Sequence, residues 1–448
     1  MSDTFRNETP ESDAEGREPD GWRVVALSDI ADIRVSNVDK KSVSGEIPVR
    51  LCNYIDVYNN EYITADLDFM EASATPSELA RFSVEIGDVM ITKDSETPDD
   101  IGVPAVALWS DQRLVCGYHL ALFKPDKTQV DPVFLGKQLT LPNIAAYYGR
   151  LACGSTRYGL SNSGIGRTPL RLPPLSQQRK IARILTTLDN LIEKTEALIA
   201  KYQAIKQGMM HDLFTRGVDA HGHLRPPQTE APHLYKQSEL GWIPKEWEVR
   251  QIGDLANYMN GHSFDASLWS RHGLPIIRIQ NLNGEESFNY YGGSVDPSWE
   301  VLPGDLLFAW AGMLETSFGP RIWKGRRGVL NQHIFKVEPN TDLIRKEFLH
   351  LLLKHNLQRI VLSAHGFKSS FVHVTRAELL PVSVCLPPGN EQERIVRILE
   401  EAESVLEREA EYAASLAKTK TGLMQDLLTG KVRVKVNDSE EATANERD

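Results

Sequence analysis

Two stretches decide the fold. Residues 173–216 read PPLSQQRKIARILTTLDNLIEKTEALIAKYQAIKQGMMHDLFTR, and residues 387–430 read PPGNEQERIVRILEEAESVLEREAEYAASLAKTKTGLMQDLLTG. They align without a gap at a constant offset of 214, and about a third of the positions are identical, among them Pro173/Pro387, Gln178/Gln392, Ile181/Ile395, Gly208/Gly422, Asp212/Asp426 and Thr215/Thr429. A chain that repeats itself is one plan used twice, and this organises everything else in the sequence. In the first copy Ile181, Ile184, Leu185, Leu188, Leu191, Ile192, Leu198, Tyr202, Ile205 and Met209 follow the three–four spacing of one helical face, after Pro173-Pro174 and a cap at Ser176. In the second, Asn390-Glu391-Gln392-Glu393 has the form of a capping box before Ile395, and the stripe continues through Ile398, Leu399, Ala402, Val405, Leu406, Tyr412, Leu416 and Leu423. A helix of about 40 residues is about 60 Å long. Two such apolar faces in one chain most simply bury each other as a coiled-coil pair; the alternative is that each lies on its own globular domain.

The flanking segments match more loosely. Trp22 to Ala31 (WRVVALSDIA) pairs with Trp247 to Ala256 (WEVRQIGDLA), Gly87-Asp88-Val89 with Gly304-Asp305-Leu306, and Tyr118-His119-Leu120 with Gln332-His333-Ile334. The offset drifts from 225 through 217 to 214, so the front parts differ by insertions and the plan is variable–constant–variable–constant. The variable parts are β-rich, with short strands such as Ile47–Leu51 and Pro275–Ile279 and helices near 132–150 and 342–363. Residues 217–241, polar and with three prolines, form a linker back to the second half. The divisions are an acidic tail 1–20, a first globular part 21–172, helix 173–216, linker 217–241, a second globular part 242–386, helix 387–432 and a tail 433–448.

Composition excludes several classes. Of the 448 residues, 41% are apolar and 25% charged, an ordinary globular balance. No apolar run approaches the ~20 residues of a membrane helix, and the acidic start is no secretory signal. Cys52, Cys116, Cys153 and Cys385 make no C-x-x-C pair, so they are expected as buried free thiols of a reducing cytoplasm. The net charge of −11 is concentrated in residues 1–20 and 437–448, which hold −9 of it. The near-neutral body can still carry a basic groove.

Catalytic signatures are missing from the sequence. It has no P-loop, and Gly164-Ile165-Gly166 lacks the third glycine of a dinucleotide fingerprint. The Pro-Pro pairs follow Leu172, Arg225 and Leu386, not the Asn or Asp of an amino-methyltransferase motif. His221, His223 and His233 lie in the linker, where nothing fixes a metal geometry.

The variable parts do carry residues suited to DNA, which needs cations for phosphates and planar or bidentate groups for base edges. Trp310 precedes Arg321, Lys324, Arg326 and Arg327, with Trp323 among them. Arg278 and Asn281 form an Arg-x-x-Asn, and Arg50 and Asn53 repeat that spacing in the first half. Lys40, Lys41, Lys93, Arg113, Arg157, Tyr158 and Lys368 complete the candidates; each cation, taken singly, has the alternative of a solvated surface charge. His119 and His333 fall at matching places and are either structural or DNA contacts, whereas Trp22 and Trp247 are expected as core anchors.

The sequence resembles the specificity subunits of type I restriction-modification systems. The two Pro-Pro-x-x-x-Gln helical segments carry the likeness, with their endings Asp212-Leu213-Phe214-Thr215-Arg216 and Asp426-Leu427-Leu428-Thr429-Gly430 and the start of the second half, Gly241-Trp242-Ile243-Pro244. Gly273, Pro275-Ile276-Ile277-Arg278, Asn281-Leu282, Gly304-Asp305 and Asn331-Gln332-His333 extend it; the first half departs from the commoner pattern after Gly87-Asp88. The resemblance implies an α+β protein: two mixed α/β target-recognition domains separated by two long antiparallel helices in a coiled-coil spacer, with a pseudo-twofold repeat. Each domain would read one half of a split DNA target, and the domains, about 60 Å apart, would span nearly two turns of B-DNA at ~34 Å per turn. The helices would dock two modification subunits, with Gln178, Ile181, Ile184, Leu188, Leu191, Gln392, Ile395, Ile398 and Val405 as candidate spacer and docking residues. S-adenosylmethionine, ATP and magnesium would belong to the modification and restriction partners, leaving this chain without cofactor or catalysis. A single-chain restriction or methylation enzyme and a protein-binding scaffold are the competing readings.

Overall fold

The computed structural model describes residues 21–314, 316–365 and 371–436, and divides into two units. Unit 1 comprises residues up to Thr195 and from Tyr412 onward; unit 2 comprises Glu196–Glu411. Both divisions fall inside the long helices, Leu175–Thr215 and Gly389–Leu428. Each unit therefore owns the front of one helix and the back of the other. Both helices begin ahead of the expected capping residues Ser176 and Asn390: the backbone N–H groups of Gln178 and Gln392 already bond to the Pro174 and Pro388 carbonyls.

In unit 1 a five-stranded sheet runs in the order Ala31–Val35, Leu120–Pro125, Val89–Thr92, Pro104–Ala107, Tyr62–Ile63. A three-stranded sheet lies beside it, with Ile47–Cys52 between Met70–Ala74 and Leu114–Cys116. Short apolar runs such as Val-Met-Ile-Thr at 89–92 are buried throughout, as the central strand of a covered sheet requires. The expected helix near 132–150 is two helices, Pro132–Leu139 and Pro142–Leu151, because Pro142 lacks the N–H that would continue the first. The globular part of unit 1 is closed by its own ends: Arg23–Ala26 pairs antiparallel with Pro169–Leu172.

Unit 2 repeats this plan. Ala256–Asn260, Ile334–Pro339, Leu306–Ala309 and Gly319–Ile322 form one sheet. Leu274–Ile277 and Gly328–Leu330 lie centrally in a second. Glu248–Gln251 closes on Ser383–Leu386, and Trp247 is wholly buried, as expected of an anchor. Residues 217–241, read as a linker from their polarity, are built into this unit. Val218 and Tyr235 are buried, Tyr235–Ser238 pairs with Gly241–Pro244, and Arg225 meets Glu391 through both carboxylate oxygens, at 2.5 and 2.9 Å. Gly217, at φ +64°, lies against Glu391, Trp247 and Arg225, where any β-carbon would collide.

The repeated glutamines explain the Pro-Pro-x-x-x-Gln signature. Buried Gln178 donates to the Pro173 carbonyl (2.8 Å) and the Gln129 carbonyl (3.2 Å), and accepts from the Asp131 N–H (3.0 Å). Buried Gln392 donates to Pro387 (3.0 Å) and Leu343 (2.9 Å), and accepts from the Arg345 N–H (3.2 Å). Each pins a long helix to the helix that follows the main sheet of its own unit.

The helices pair antiparallel in each unit. In unit 1 Ile181, Ala182 and Leu185 share a core with Leu427 and Leu428, while Asp189 meets Lys420 at 2.7 Å, so one chain rises as the other falls. In unit 2 Leu213 and Phe214 share a core with Ile395 and Val396, and Lys206 pairs with Glu403. Both expectations for the apolar faces hold in part, since these helix ends pack on each other and on the globular part of their own unit. Unit 1 adds a charged knot. Lys137, almost fully buried, lies 2.5 Å from Glu61 and 2.6 Å from Asp189, Lys420 lies 2.8 Å from Glu61, and the Tyr62 hydroxyl donates to Asp189 at 2.6 Å.

These contacts correct part of the docking set. Gln178, Gln392, Ile181 and Ile395 are buried inside their own units and offer no surface to a partner, whereas Ile184 and Ile398 pack against the cores while staying half-buried. Leu188 and Val405 are half-buried and Leu191 is exposed. Ile205 and Tyr412 are further exposed apolar residues on the helices.

Candidate nucleic-acid interface

The same backbone platform is built in both units. In unit 1 the strand Ile47–Cys52 ends where the Gly117 N–H donates to the Cys52 carbonyl, and in unit 2 the Asn331 N–H donates to Ile277. Parallel pairing sets Cys52 opposite Cys116 and Ile277 opposite Leu330. The Lys93 N–H donates to the His119 carbonyl, as that of Trp310 does to His333. The Leu160 N–H donates to Lys93, as that of Val374 does to Trp310. A short strand pair follows: Asp94–Ser95 with Tyr158–Gly159 in unit 1, Ala311–Met313 with Phe371–His373 in unit 2.

This register corrects the Arg-x-x-Asn match. Cys52 corresponds to Ile277, so Asn53 corresponds to Arg278, and both stand at the N-cap of a short helix. Asp56 corresponds to Asn281; each accepts the N–H of its cap residue, at 2.8 and 2.9 Å. Asn281 is buried and also donates to the Glu285 and Ser287 carbonyls, both at 2.9 Å, so it builds the turn and does not face a ligand. Asn53 is spent on capping, accepting from the Ile55 N–H at 3.2 Å. Two unrelated arginines had produced the same spacing, three residues out of step.

On the unit 1 platform a cavity of about 700 Å³ is lined by Lys40, Tyr54, Tyr58, Tyr118, His119 and Arg157, with Asp39, Asp94, Glu96 and Asp100 among them. Tyr54 and Tyr58 stack at 5.5 Å, and the Tyr58 hydroxyl donates to Asp100 at 2.9 Å. That bond pushes the Tyr58 phenol up, while burial raises that of Tyr54. His119 is held in a left-handed conformation (φ 76°), its Nδ1 2.7 Å from Asp94. Carboxylates here are suited to accept from base amino groups, and the stacked rings offer flat apolar surface. The other unit 1 candidates lie off this cavity. Lys41 is exposed beside Asp39, Lys93 is 3.5 Å from Asp94, and Arg113 is exposed on its turn. Arg50 is paired with Asp111 and lies over Trp109, and Tyr158 packs against the core.

The unit 2 platform carries different chemistry. The Arg278 guanidinium lies 5.0 Å from the Trp269 ring centre and donates to Asn289; partial burial pulls its pKa down. Next along, Arg326 lies over Phe288 and Tyr290 and donates to the Tyr290 hydroxyl at 3.0 Å. Arg327 is 2.5 Å from Glu300, and Lys324 is exposed. Trp310 donates to the Gln332 carbonyl, tilts over His333 at 5.1 Å and meets His373 edge-on at 4.8 Å. Arg321 leaves this group. Its guanidinium donates to the Pro320 and Thr316 carbonyls, and its charge is felt by His350 and Lys354. Lys354 also borders a separate cavity of about 880 Å³ within unit 2. Lys368 lies outside the described residues. Sequence reading missed Tyr54, Tyr58, Trp269, Asn289, Tyr290 and His373. The exposed aromatics were the available signal, but single rings on a surface are too common to point anywhere.

The chain matches the family model of the type I restriction modification DNA specificity domain over residues 19–203 and 244–414, one match for each half. It belongs to that family. It is 26% identical over 436 residues to the putative type I restriction enzyme MjaX specificity subunit of Methanocaldococcus jannaschii, covering 94% of this chain and 96% of the relative. The EcoBI specificity subunit of Escherichia coli is 25% identical over 196 residues, 42% of this chain and 40% of the relative. Among solved structures, the fold is shared with a chain from a study of complex assembly and conformational transition of the type I R-M system (TM-score 0.57, 18% identity, covering 93% of this chain and 100% of that one). It is shared also with the S subunit of a type I system from M. genitalium (TM-score 0.53, 14% identity, 93% and 97% covered).

Proposed function

We propose that this chain is the DNA-reading, non-catalytic subunit of a type I restriction-modification complex, each half recognising one part of a split target. One observation carries the reading: a single backbone platform is built twice and furnished with two different sets of cationic, aromatic and hydrogen-bonding side chains. Identical platforms with different furnishings suit two different words. The long helices, of 41 and 40 residues, then set the gap between the words and dock two modification subunits through surface left outside the cores. Adenine methylation from S-adenosylmethionine, and ATP- and magnesium-dependent cleavage, fall to the modification and restriction partners, in the cytoplasm.

The test is a map of methylated adenines across the source genome, with and without this gene, in cells that express the modification subunit. One split motif is expected to vanish with the gene. An unchanged map in those cells would overturn the proposal. Removing seven residues from each helix shortens both by about 10 Å, which should shorten the gap of the motif by about three base pairs.

A further inference from the structure

The two-stranded ribbon at the edge of the unit 2 platform has a divided character. Side chains alternate across a strand. Val372 points inward and is buried in the unit 2 core. Met313 and Phe371, direct cross-strand partners, and His373 therefore share the outward face. Met313 is 52% and Phe371 58% exposed. This apolar pair continues the surface that already holds Trp310 and His373. In unit 1 the register of the matching ribbon puts Glu96 and Arg157 at the corresponding places, where both line the cavity. A side-chain pair that is charged in one half is thus apolar and water-exposed in the other, at the same point of the fold.

Resting on the DNA-reading function above, we infer that Met313 and Phe371 form an apolar reader of a thymine 5-methyl group in the half-target of unit 2. A two-stranded ribbon fits the major groove, and the thymine methyl is the apolar mark that groove displays. The neighbouring Trp310 and His373 exclude water on one flank. Glu96 and Arg157 make the unit 1 ribbon a polar reader instead.

The experiment uses the complex with its modification subunits and a duplex bearing the mapped target, with each thymine in turn replaced by uracil. Uracil keeps the pairing and removes only the methyl. At one position of one half-word the affinity is expected to fall about fourfold, the transfer value of one methyl group. Met313→Ser with Phe371→Ser should abolish that sensitivity, Phe371→Leu should keep most of it, and Glu96→Gln should leave it unchanged. If the complex binds its target but no uracil substitution weakens it, this inference fails and the function stands. If the serine variants bind weakly while still sensing the methyl, the pair acts otherwise, as a wedge between base steps, and the inference also fails. Absence of any target preference in the unmodified complex would count against the function itself.

Discussion

The two recognition platforms and the two helix starts teach opposite lessons. At the helix starts the halves keep the same side chains: Gln178 and Gln392 make the same three bonds, and the acid–lysine pairs Asp189–Lys420 and Glu403–Lys206 stand at corresponding positions. On the platforms the halves keep almost nothing but shape. Asn53 stands where the other half has Arg278, Lys93 where it has Trp310, and Tyr118 where it has Gln332. The difference follows from which atoms do the holding. Side-chain atoms hold the helix starts, so substitution costs a buried hydrogen bond. The platforms are held largely by backbone N–H and carbonyl groups, which every residue but proline supplies, so most of their side chains are free to differ.

The largest break in the comparison is expected at Arg225–Glu391. Glu391 is buried in unit 2, and the corresponding residue of the first helix is Gln177, which is only half-buried. Arg225→Ala leaves a buried carboxylate without its cation and should destabilise unit 2 by about 3–5 kcal/mol. Gln177→Ala should cost about 0.5 kcal/mol or less. Urea unfolding of the full chain separates the two, and comparable losses would show that the asymmetry has no energetic content.

Acid should also distinguish the units. In unit 2, burial first, and then the charges of Lys354 and Arg321, push His350 down to about 4; burial, with His211 and Arg359, does the same to His355. A histidine lowered in the folded state costs nothing while both states are neutral. As pH falls from about 6.5 to 4 the unfolded chain takes up protons first, so unit 2 loses stability, on the order of 2 kcal/mol per histidine. In unit 1, burial would raise Asp189, but bonds from Lys137, Lys420 and Tyr62 outweigh it and hold its pKa below the ordinary value. That contribution persists until pH falls below the usual aspartate range. Hydrogen exchange at pH 5 should therefore find unit 2 loosened and unit 1 intact, and replacing both histidines by glutamine should remove the difference.

How much was legible in the sequence follows the same division. The helix repeat and the Gly-Asp turns could be read because side chains there are tied to structure. Gly87 and Gly304 take φ +92° and +91°, and Asp88 and Asp305 each accept a backbone N–H at 2.8 Å. The platform was only half legible. Cations and rings were visible, but their register depends on strand pairing between residues far apart in sequence, such as Cys52 with Cys116. Spacing alone matched Arg50 to Arg278, and Arg321 to a cluster it does not join. The linker misled for a related reason: its polar composition concealed one buried ion pair.

A smaller and more local contrast lies between Asn53 and Arg278, which occupy the same cap. Asn53→Ala removes a capping acceptor and should cost about 1 kcal/mol of stability. Its effect on binding should be slight. Arg278→Ala removes no cap bond, since its side chain makes none. It should leave the melting temperature nearly unchanged, weaken target binding by about 1–3 kcal/mol and relax the choice of base in one half-word only. Equal relaxation in both half-words would contradict independent reading.

The finest contrast is between two adjacent arginines. Arg326 rests on Phe288 and Tyr290 and, among the described residues, its side chain hydrogen-bonds only a neutral hydroxyl, so its charge is uncompensated by these contacts. Arg327 is paired with Glu300 at 2.5 Å. Each phosphate contact lowers the slope of log affinity against log salt by about 0.9. Arg326→Ala should therefore flatten that slope by nearly the full value. Arg327→Ala should flatten it by much less, because the arginine must leave its carboxylate to meet a phosphate. Glu300→Gln then supplies the decisive control. Freeing Arg327 should steepen the slope of the otherwise unaltered protein, and should make the loss on Arg327→Ala approach that of Arg326→Ala. If Glu300→Gln changes nothing, Arg327 is a structural partner of its carboxylate and the phosphate footprint of unit 2 ends at Arg326.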